Sequence, residues 1–578
     1  MVGHSICNSQ LCSWWHDTGE INTGGMVKAG NVRQSHKYLV QVSIAGANDF
    51  YDSFVYESIP RNGRGRIYSP WDPPDSNSLG ADVDDGITIE TSARVNMAWS
   101  QFEYSTGVDV KILTRGGSDH PPPSGVKIRP TPIVYDIRPS SDGGVVIRVP
   151  HDSNGRRFSV EFNNDLYTYR SDGSKYVSSG GTVVGIEPRN ALVIFASPFL
   201  PDDMVHRIDA PDTKVMTPGP INQGDWGSSG ILYFPPGVYW MNSNPQGQTP
   251  RIGENHMRLH PNTYWVYLAP GAYVKGAIEY TTKSDFYATG HGVLSGEHYV
   301  YQANPASYYQ AVKSDATSLR MWWHNNLGGN GGGQTWHCHG PTINAPPFNT
   351  MDFHGSPAAI TSRISDYKQV GAFYFQTDGP QLYPNSQVRD VFYHVNDDAI
   401  KTYHPGATVT RATIWKGHND PVVQMGWDSR AVAGVVLRDI YVIHTRYIKS
   451  ETYVPSAIIG ASPFYHTPGR RAVDRAKSVS ITISNLVCEG PCPALMRITP
   501  LQHYRDVLVE NVAFPDGLQT NSIGIGRSIV PASDGLDFGV TISNWTVGGE
   551  RVTMANCQAG SLGQLDIDES YWGQWAIR

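Results

Sequence analysis

The chain has 578 residues and a formal net charge of −7; only 17% of residues are charged, while 59 are glycine, 40 are proline and 11% are aromatic. Phosphate binding needs a concentrated basic surface, so nucleic acid is excluded as the expected partner. No run approaches the roughly 18 apolar residues of a membrane helix, so no membrane span is expected, and a spread of 39% hydrophobic residues excludes disorder.

Low charge with abundant Gly, Pro, Tyr and Trp points to an all-β chain rather than a helical enzyme or a coiled coil. The opening Met1-Val2-Gly3-His4 has neither a basic nor an apolar leader region, and reads as a mature, secreted, extracellular chain whose signal peptide has been removed. Two close cysteine pairs, Cys7/Cys12 and Cys488/Cys492, fit small-loop disulfides, with zinc the weaker alternative; the state of Cys338 and Cys557 stays open. Within residues 1–200, short apolar or alternating runs (Lys37–Ile44, Val145–Pro150, Phe158–Phe162, Ala191–Ala196) are separated by turn clusters such as Arg61-Asn62-Gly63. Short strands at that spacing predict an antiparallel β-sandwich. The acidic Val83-Asp84-Asp85-Gly86 reads as a turn within it, and the Pro/Asp/Gly-rich stretch 201–226 as a linker.

A different rhythm runs through 227–578. Short β-branched or aromatic runs recur, among them Ile231–Phe234, Phe286-Tyr287-Ala288, Phe373-Tyr374-Phe375, Val391-Phe392-Tyr393, Thr413-Ile414-Trp415, Ile440–Ile443 and Val540-Thr541-Ile542. The starts at 373, 391 and 413 lie 18 and 22 residues apart. A period near 20 without helical segments predicts a parallel β-helix, with a second sandwich or barrel as the alternative. Terminal rungs expose pairing edges, so the N-terminal sandwich is expected to cover one end of the helix.

In a β-helix, residues one period apart stand on neighbouring rungs. Asp378 (in Thr377-Asp378-Gly379) precedes Asp397 and Asp398 by 19 and 20 residues, and His418 follows Asp398 by another 20. Three carboxyls and an imidazole are therefore expected within two rungs. Crowded carboxyls divide labour, one keeping its proton while its neighbours stay charged, which is what inverting glycoside hydrolysis needs. Consecutive strand residues face opposite ways, so Asp397-Asp398 is expected at a strand end or bulge. Thr-Asp-Gly and Asn-Asp-Asp are also ordinary turn sequences, and that reading stands beside the catalytic one.

The run Leu268-Ala269-Pro270-Gly271-Ala272-Tyr273-Val274-Lys275-Gly276-Ala277, together with Thr377-Asp378-Gly379, Asn396-Asp397-Asp398, Gly417-His418 and Arg446-Tyr447-Ile448-Lys449, resembles the β-helical polysaccharide hydrolases. Over essentially the whole chain, including Trp14-Trp15-His16-Asp17, Asn31–Tyr38 and Met321–Asn326, the closer resemblance is to glycoside hydrolase family 49, the fungal dextranases and isopullulanases. The resemblance implies a β-sandwich followed by a right-handed parallel β-helix. It also implies endo-hydrolysis of the α-1,6-glucosidic bonds of dextran with inversion: Asp397 as general acid, Asp378 and Asp398 activating water, and His418 and Lys449 orienting sugar hydroxyls or the acid. Gln376 and Asn419 depart from the polygalacturonase pattern, which argues against an anionic galacturonate substrate.

Trp322, Trp323, Trp415, Trp427 and Tyr301 are candidate sugar-stacking faces, with a core position as the alternative for each; Trp427 and Tyr301 are taken as substrate contacts. Trp336-His337-Cys338-His339 lacks the further ligands of a metal site, and no metal or cofactor is expected. Gly328–Gly333 reads as a flexible loop, and Asn544-Trp545-Thr546 is a glycosylation sequon. The expected partner is an α-glucan (dextran or isomalto-oligosaccharides) acted on by a monomer. The rivals are an isopullulanase and a non-catalytic carbohydrate-binding β-helix.

Overall fold

The computed structural model describes residues 5–22, 27–60, 96–116, 122–173, 176–242, 256–324, 333–353, 359–419, 421–426, 429–447, 457–461, 476–497, 503–519, 522–524, 537–558, 564–566 and 575–578. The turn expected at Val83–Gly86 and all but Gly333 of the loop expected at Gly328–Gly333 lie outside them. The fold is all-β, an N-terminal sandwich followed by a right-handed parallel β-helix.

One layer of the sandwich centres on Asn96–Tyr104, Asn190–Ser197 and Arg156–Phe162, the other on Val108–Thr114, Tyr38–Ile44 and Val145–Val149. Alternation decides which side chains meet: Tyr38, Val40 and Val42 point inward against Phe102, Ile112, Phe158 and Ile194. Asn190–Ser197 joins Asn96–Tyr104 in parallel, an exception within the otherwise antiparallel layers. A third, three-stranded sheet (Leu166–Ser171, Tyr176–Val177, Thr182–Pro188) leaves the sandwich. Cys7 and Cys12 are bridged across the first hairpin, and Cys488 and Cys492 across a turn of the helix.

The β-helix has three parallel sheets. The first stacks Ile231, Trp265, Tyr287, His337, Arg363, Gln387, Thr408, Val436, Thr482, Leu508 and Thr541 in register. The second stacks Tyr239, Val274, Leu294, Ile343, Gln369, Tyr393, Ile414 and Val442. The third is split into two ladders, one with Ile278–Tyr280, Trp322–His324 and Met351–Phe353, the other with Ile400–Lys401 and Val423–Gln424. Thr213–Val215 and Gly219–Ile221 already pair in parallel with later strands, so the helix begins inside the stretch expected as a linker, 201–226.

From Gln387 onward, single strands bend from the first sheet into the second at one left-handed residue each: Asp390, Arg411, Asp439, Asn485, Asn511 and Asn544, with φ of 51–58°. Asn and Asp tolerate this backbone best. At the last four corners their side chains join in a ladder, each later amide donating to the previous oxygen at 2.8–3.2 Å. The sequon residue Asn544 is the exposed top of that ladder.

Among the described residues the sandwich packs along the side of the helix rather than over an end. Phe54, Tyr56, Trp99, Val193 and Phe195 pack on Val238, Tyr273, Val293, Val370, Phe392, Trp415 and Ile443, the outer face of the second sheet over successive rungs. Buried charges cross the same seam: Arg157 pairs with Asp366, and His291 bridges Glu103 (2.5 Å) and Asp366 (2.8 Å). An apolar outer sheet face must be covered along its length, and that need outweighs capping.

Candidate active site

Val370, Val395 and Lys416 end three successive strands of the second sheet, and the segments that follow them turn the same corner toward the third sheet. Asp378 lies in the first segment, Asp397 and Asp398 in the second, His418 in the third. Main-chain bonds lock the segments together. The amides of Asn396 and Asp397 donate to the Thr377 carbonyl (3.2 and 3.4 Å), Gly379 N–H to the Asp398 carbonyl (2.8 Å), and Asn419 N–H to the Asn396 carbonyl (3.0 Å). These bonds bracket Asp378 against the Asp397-Asp398 pair on the neighbouring rung. The pair sits just past a strand end, so strand alternation does not separate its side chains.

The glycines of both short motifs are there for close approach. A Cβ on Gly379 would overlap the Ala399 carbonyl, and one on Gly417 would overlap Asn396 Oδ1. Asn396 Oδ1 accepts from the His418 amide at 2.8 Å, while its Nδ2 donates to the Phe373 carbonyl at 3.2 Å, so one side chain ties three rungs. The Asp378 carbonyl is held from inside by Thr350 Oγ1 and Gln369 Nε2, both at 3.0 Å.

All three carboxyls are nearly buried, with Asp378, Asp397 and Asp398 6%, 7% and 2% exposed. Lys401 Nζ lies 2.9 Å from Asp378 Oδ2. Burial disfavours the ammonium, but the charges of Asp378, Asp398 and Asp352 outweigh it and raise Lys401 above the usual lysine value. Tyr403 donates to Asp398 Oδ2 at 3.0 Å and Gln424 Nε2 to Asp398 Oδ1 at 3.2 Å. Burial, then the charges of Asp398 and Asp378, push the Tyr403 phenol well above its ordinary range, so it remains a donor. Asp397 Oδ1 accepts from the Asp398 amide at 2.9 Å.

Burial, with Arg446 and Lys416 nearby, pushes His418 down to about 3. The ring is neutral at working pH and cannot deliver a proton; its Nδ1 is buried without a hydrogen-bond partner. Phe375 and Tyr176 pack on it with centroids at 5.6 and 5.9 Å. Tyr176 comes from the small sheet of the N-terminal domain, and its hydroxyl donates to the Arg446 carbonyl at 2.7 Å.

Not every expected contact lies here. Tyr301 is only 4% exposed and stacks on Tyr374 at 5.0 Å beside Tyr167 and Phe375, so it braces the wall rather than offering a sugar-binding face. Trp322 and Trp323 belong to the helix core and Trp415 to the seam with the sandwich. Cys338 points into the core between outward-facing His337 and His339. Lys449 and Trp427 lie outside the described residues. Lys401, Tyr403, Gln424 and Tyr176 went unread in the sequence. Lys401 alone left a trace there, as a cation in the otherwise apolar run following an acidic pair.

Residues 2–199 match the glycosyl hydrolase family 49 N-terminal Ig-like domain and 469–578 glycosyl hydrolase family 49. Between them, 347–379 match a β-solenoid repeat from dextranase and 415–447 an isopullulanase β-solenoid repeat. The chain is 68% identical to a dextranase of Talaromyces minioluteus over 576 residues, all of this chain and 94% of the relative. It is 37% identical to the isopullulanase of Aspergillus niger, over 98% of this chain and 95% of that one. The solved structure of Dex49A from Penicillium minioluteum superposes with a TM-score of 0.93 at 68% identity, covering both chains completely.

Proposed function

Because the chain belongs to glycoside hydrolase family 49, we propose that it is a secreted endo-dextranase that hydrolyses α-1,6-glucosidic bonds with inversion of anomeric configuration. Whole-chain identity of 68% to a dextranase supports the substrate, and the bracketing of Asp378 against Asp397-Asp398 supports the chemistry. In this reading Asp397 gives its proton to the glycosidic oxygen as the bond to the anomeric carbon breaks. Water attacks that carbon from the opposite face, and Asp378 and Asp398 take up the proton it loses. Inversion requires about 6.5–9.5 Å between acid and base, room for that water. A neutral His418 orients sugar hydroxyls, and Lys449 and Trp427 are assigned as further sugar contacts from the sequence pattern. Two disulfides support an oxidising, extracellular setting, and we take the enzyme as a monomer.

Proton NMR of the first product tests the reading: the β-anomer of the new reducing end appears first, whereas first appearance of the α-anomer overturns it. Asp397→Asn is expected to lower kcat by about 10²- to 10⁴-fold with the fold intact. Parallel digestions of dextran and pullulan decide the linkage, and preferential release of isopanose from pullulan would make the enzyme an isopullulanase.

A further inference from the structure

We propose that Lys401 is the positioning residue of this site: it holds Asp378 as a carboxylate aimed by one oxygen, so that the proton shared among the three acids resides on Asp397. The inference rests on the catalytic reading above and adds to it a residue that touches no substrate. Lys401 ends the third-sheet strand Ile400–Lys401 on the same rung as Asp397 and Asp398, and its ammonium reaches across to Asp378 on the preceding rung at 2.9 Å. Only 3% of the residue is exposed. Its charge faces Asp378, Asp398 and Asp352; Tyr403 lies beside Asp398, with the Arg430 guanidinium 4.4 Å over its ring.

The two oxygens of Asp378 differ. Oδ2 takes the lysine, while Oδ1 is buried and accepts no hydrogen bond. A buried acceptor without a donor is costly, and a water approaching Oδ1 relieves that cost in the position from which it must lose a proton. Asp398 is already committed, its Oδ1 to Gln424 and its Oδ2 to Tyr403. A lysine is fixed on Asp378 and a phenol and an amide on Asp398, so protonating either would displace a side-chain donor; Asp397, whose Oδ1 takes the Asp398 amide, is the acid to which we assign the proton needed by the leaving oxygen.

The experiment compares the wild type with Lys401→Met and Lys401→Arg in pH–rate profiles on dextran. Lys401→Met is expected to move the acid limb upward by about 1–3 pH units, lowering kcat below the limb about tenfold per unit, with KM nearly unchanged. Lys401→Arg restores the limb. A loss of rate at every pH with the limb in place means a merely structural lysine and overturns the proposal. If Lys401→Met does not fold, Asp378→Asn is compared with Asp378→Asn/Lys401→Met, the double variant removing both charges of the buried pair. The second change should add almost no loss if Lys401 acts through Asp378, and multiply the loss if it does not. Isotope-edited infrared spectra at pH 5, without substrate, count protonated carboxyls. About one more in Lys401→Met than in the wild type supports the pairing, and no gain refutes it. A wild type that leaves dextran intact fails the substrate reading alone, because the infrared count still decides the role of Lys401.

Discussion

Asn396 works harder than any acid it stands beside, since its amide joins the His418 backbone on one rung to the Phe373 carbonyl on another. Gly417→Ala is therefore expected to push Asn396 aside, at an overpacking cost of about 1–3 kcal/mol, and to lower initial rates on dextran at least about tenfold. Gly19→Ala, where an added methyl meets no atom within 4 Å, is the control that leaves the rate alone. Asp378, Asp397, Asp398 and His418 were legible in the sequence because polar residues repeating at rung spacing are few in a weakly charged chain. The supporting donors were not: Lys401 and Gln424 sit in two-residue strands and Tyr403 just past one, and nothing in the sequence says which way a lysine in a strand points. Aromatic type misled for a related reason. Trp322, Trp415 and Tyr301 fill the core, the seam and the wall, and composition does not distinguish these from a sugar platform.

The rung period was readable only approximately. Val391–Tyr393 and Ala412–Ile414 are indeed neighbours, 21 residues apart in register, but Phe373–Phe375 is no strand; Lys368 pairs with Phe392 instead, an offset of 24. Phe373–Phe375 has strand-like composition yet belongs to the turn before Asp378, where its rings pack on Tyr301, Tyr167 and His418. Offsets elsewhere in the first sheet range from 18 to 50 residues among the described strands, because insertions lengthen the turns without disturbing the ladders. The small sheet of the N-terminal domain was invisible as a contributor to the site. Gly185 lets it approach closely enough that a Cβ would crowd the Thr445 carbonyl at 2.8 Å, and Glu187 pairs with buried Arg446 at 3.3 Å. Glu187→Gln leaves the guanidinium buried without its anion. The expected cost is about 3–5 kcal/mol, read as a lowered urea midpoint, with activity falling through the Tyr176–His418 contact.

Over the whole molecule, two separate cores meet along a seam that is apolar and charged at once. His291 sits at its centre between Glu103 and Asp366, with Arg157 and Lys368 also on Asp366. Burial opposes its charge, yet hydrogen bonds to Asp366 and Glu103 raise it above the ordinary 6.5. A raised value makes protonation favour the folded state. The contribution is complete below pH 6.5 and fades as pH climbs through the higher folded value. Thermal unfolding measured from pH 5 to pH 9 should show that decline in the wild type and a flatter curve in His291→Gln; equal slopes would remove His291 as the cause. The sandwich and the solenoid were each apparent in the sequence, but their side-by-side docking was not, because its partners lie hundreds of residues apart.

That lateral seam bears on how the chain is made. Translation delivers the sandwich before the first complete coil, so each new turn of the solenoid emerges beside a finished wall that already carries its complementary rings and ions. The N-terminal part is thereby expected to serve as a jig for assembly. Producing 201–578, which keeps the first rung strands, by itself should yield inclusion bodies, and supplying 1–200 on a separate gene should recover soluble material only when both are synthesised together.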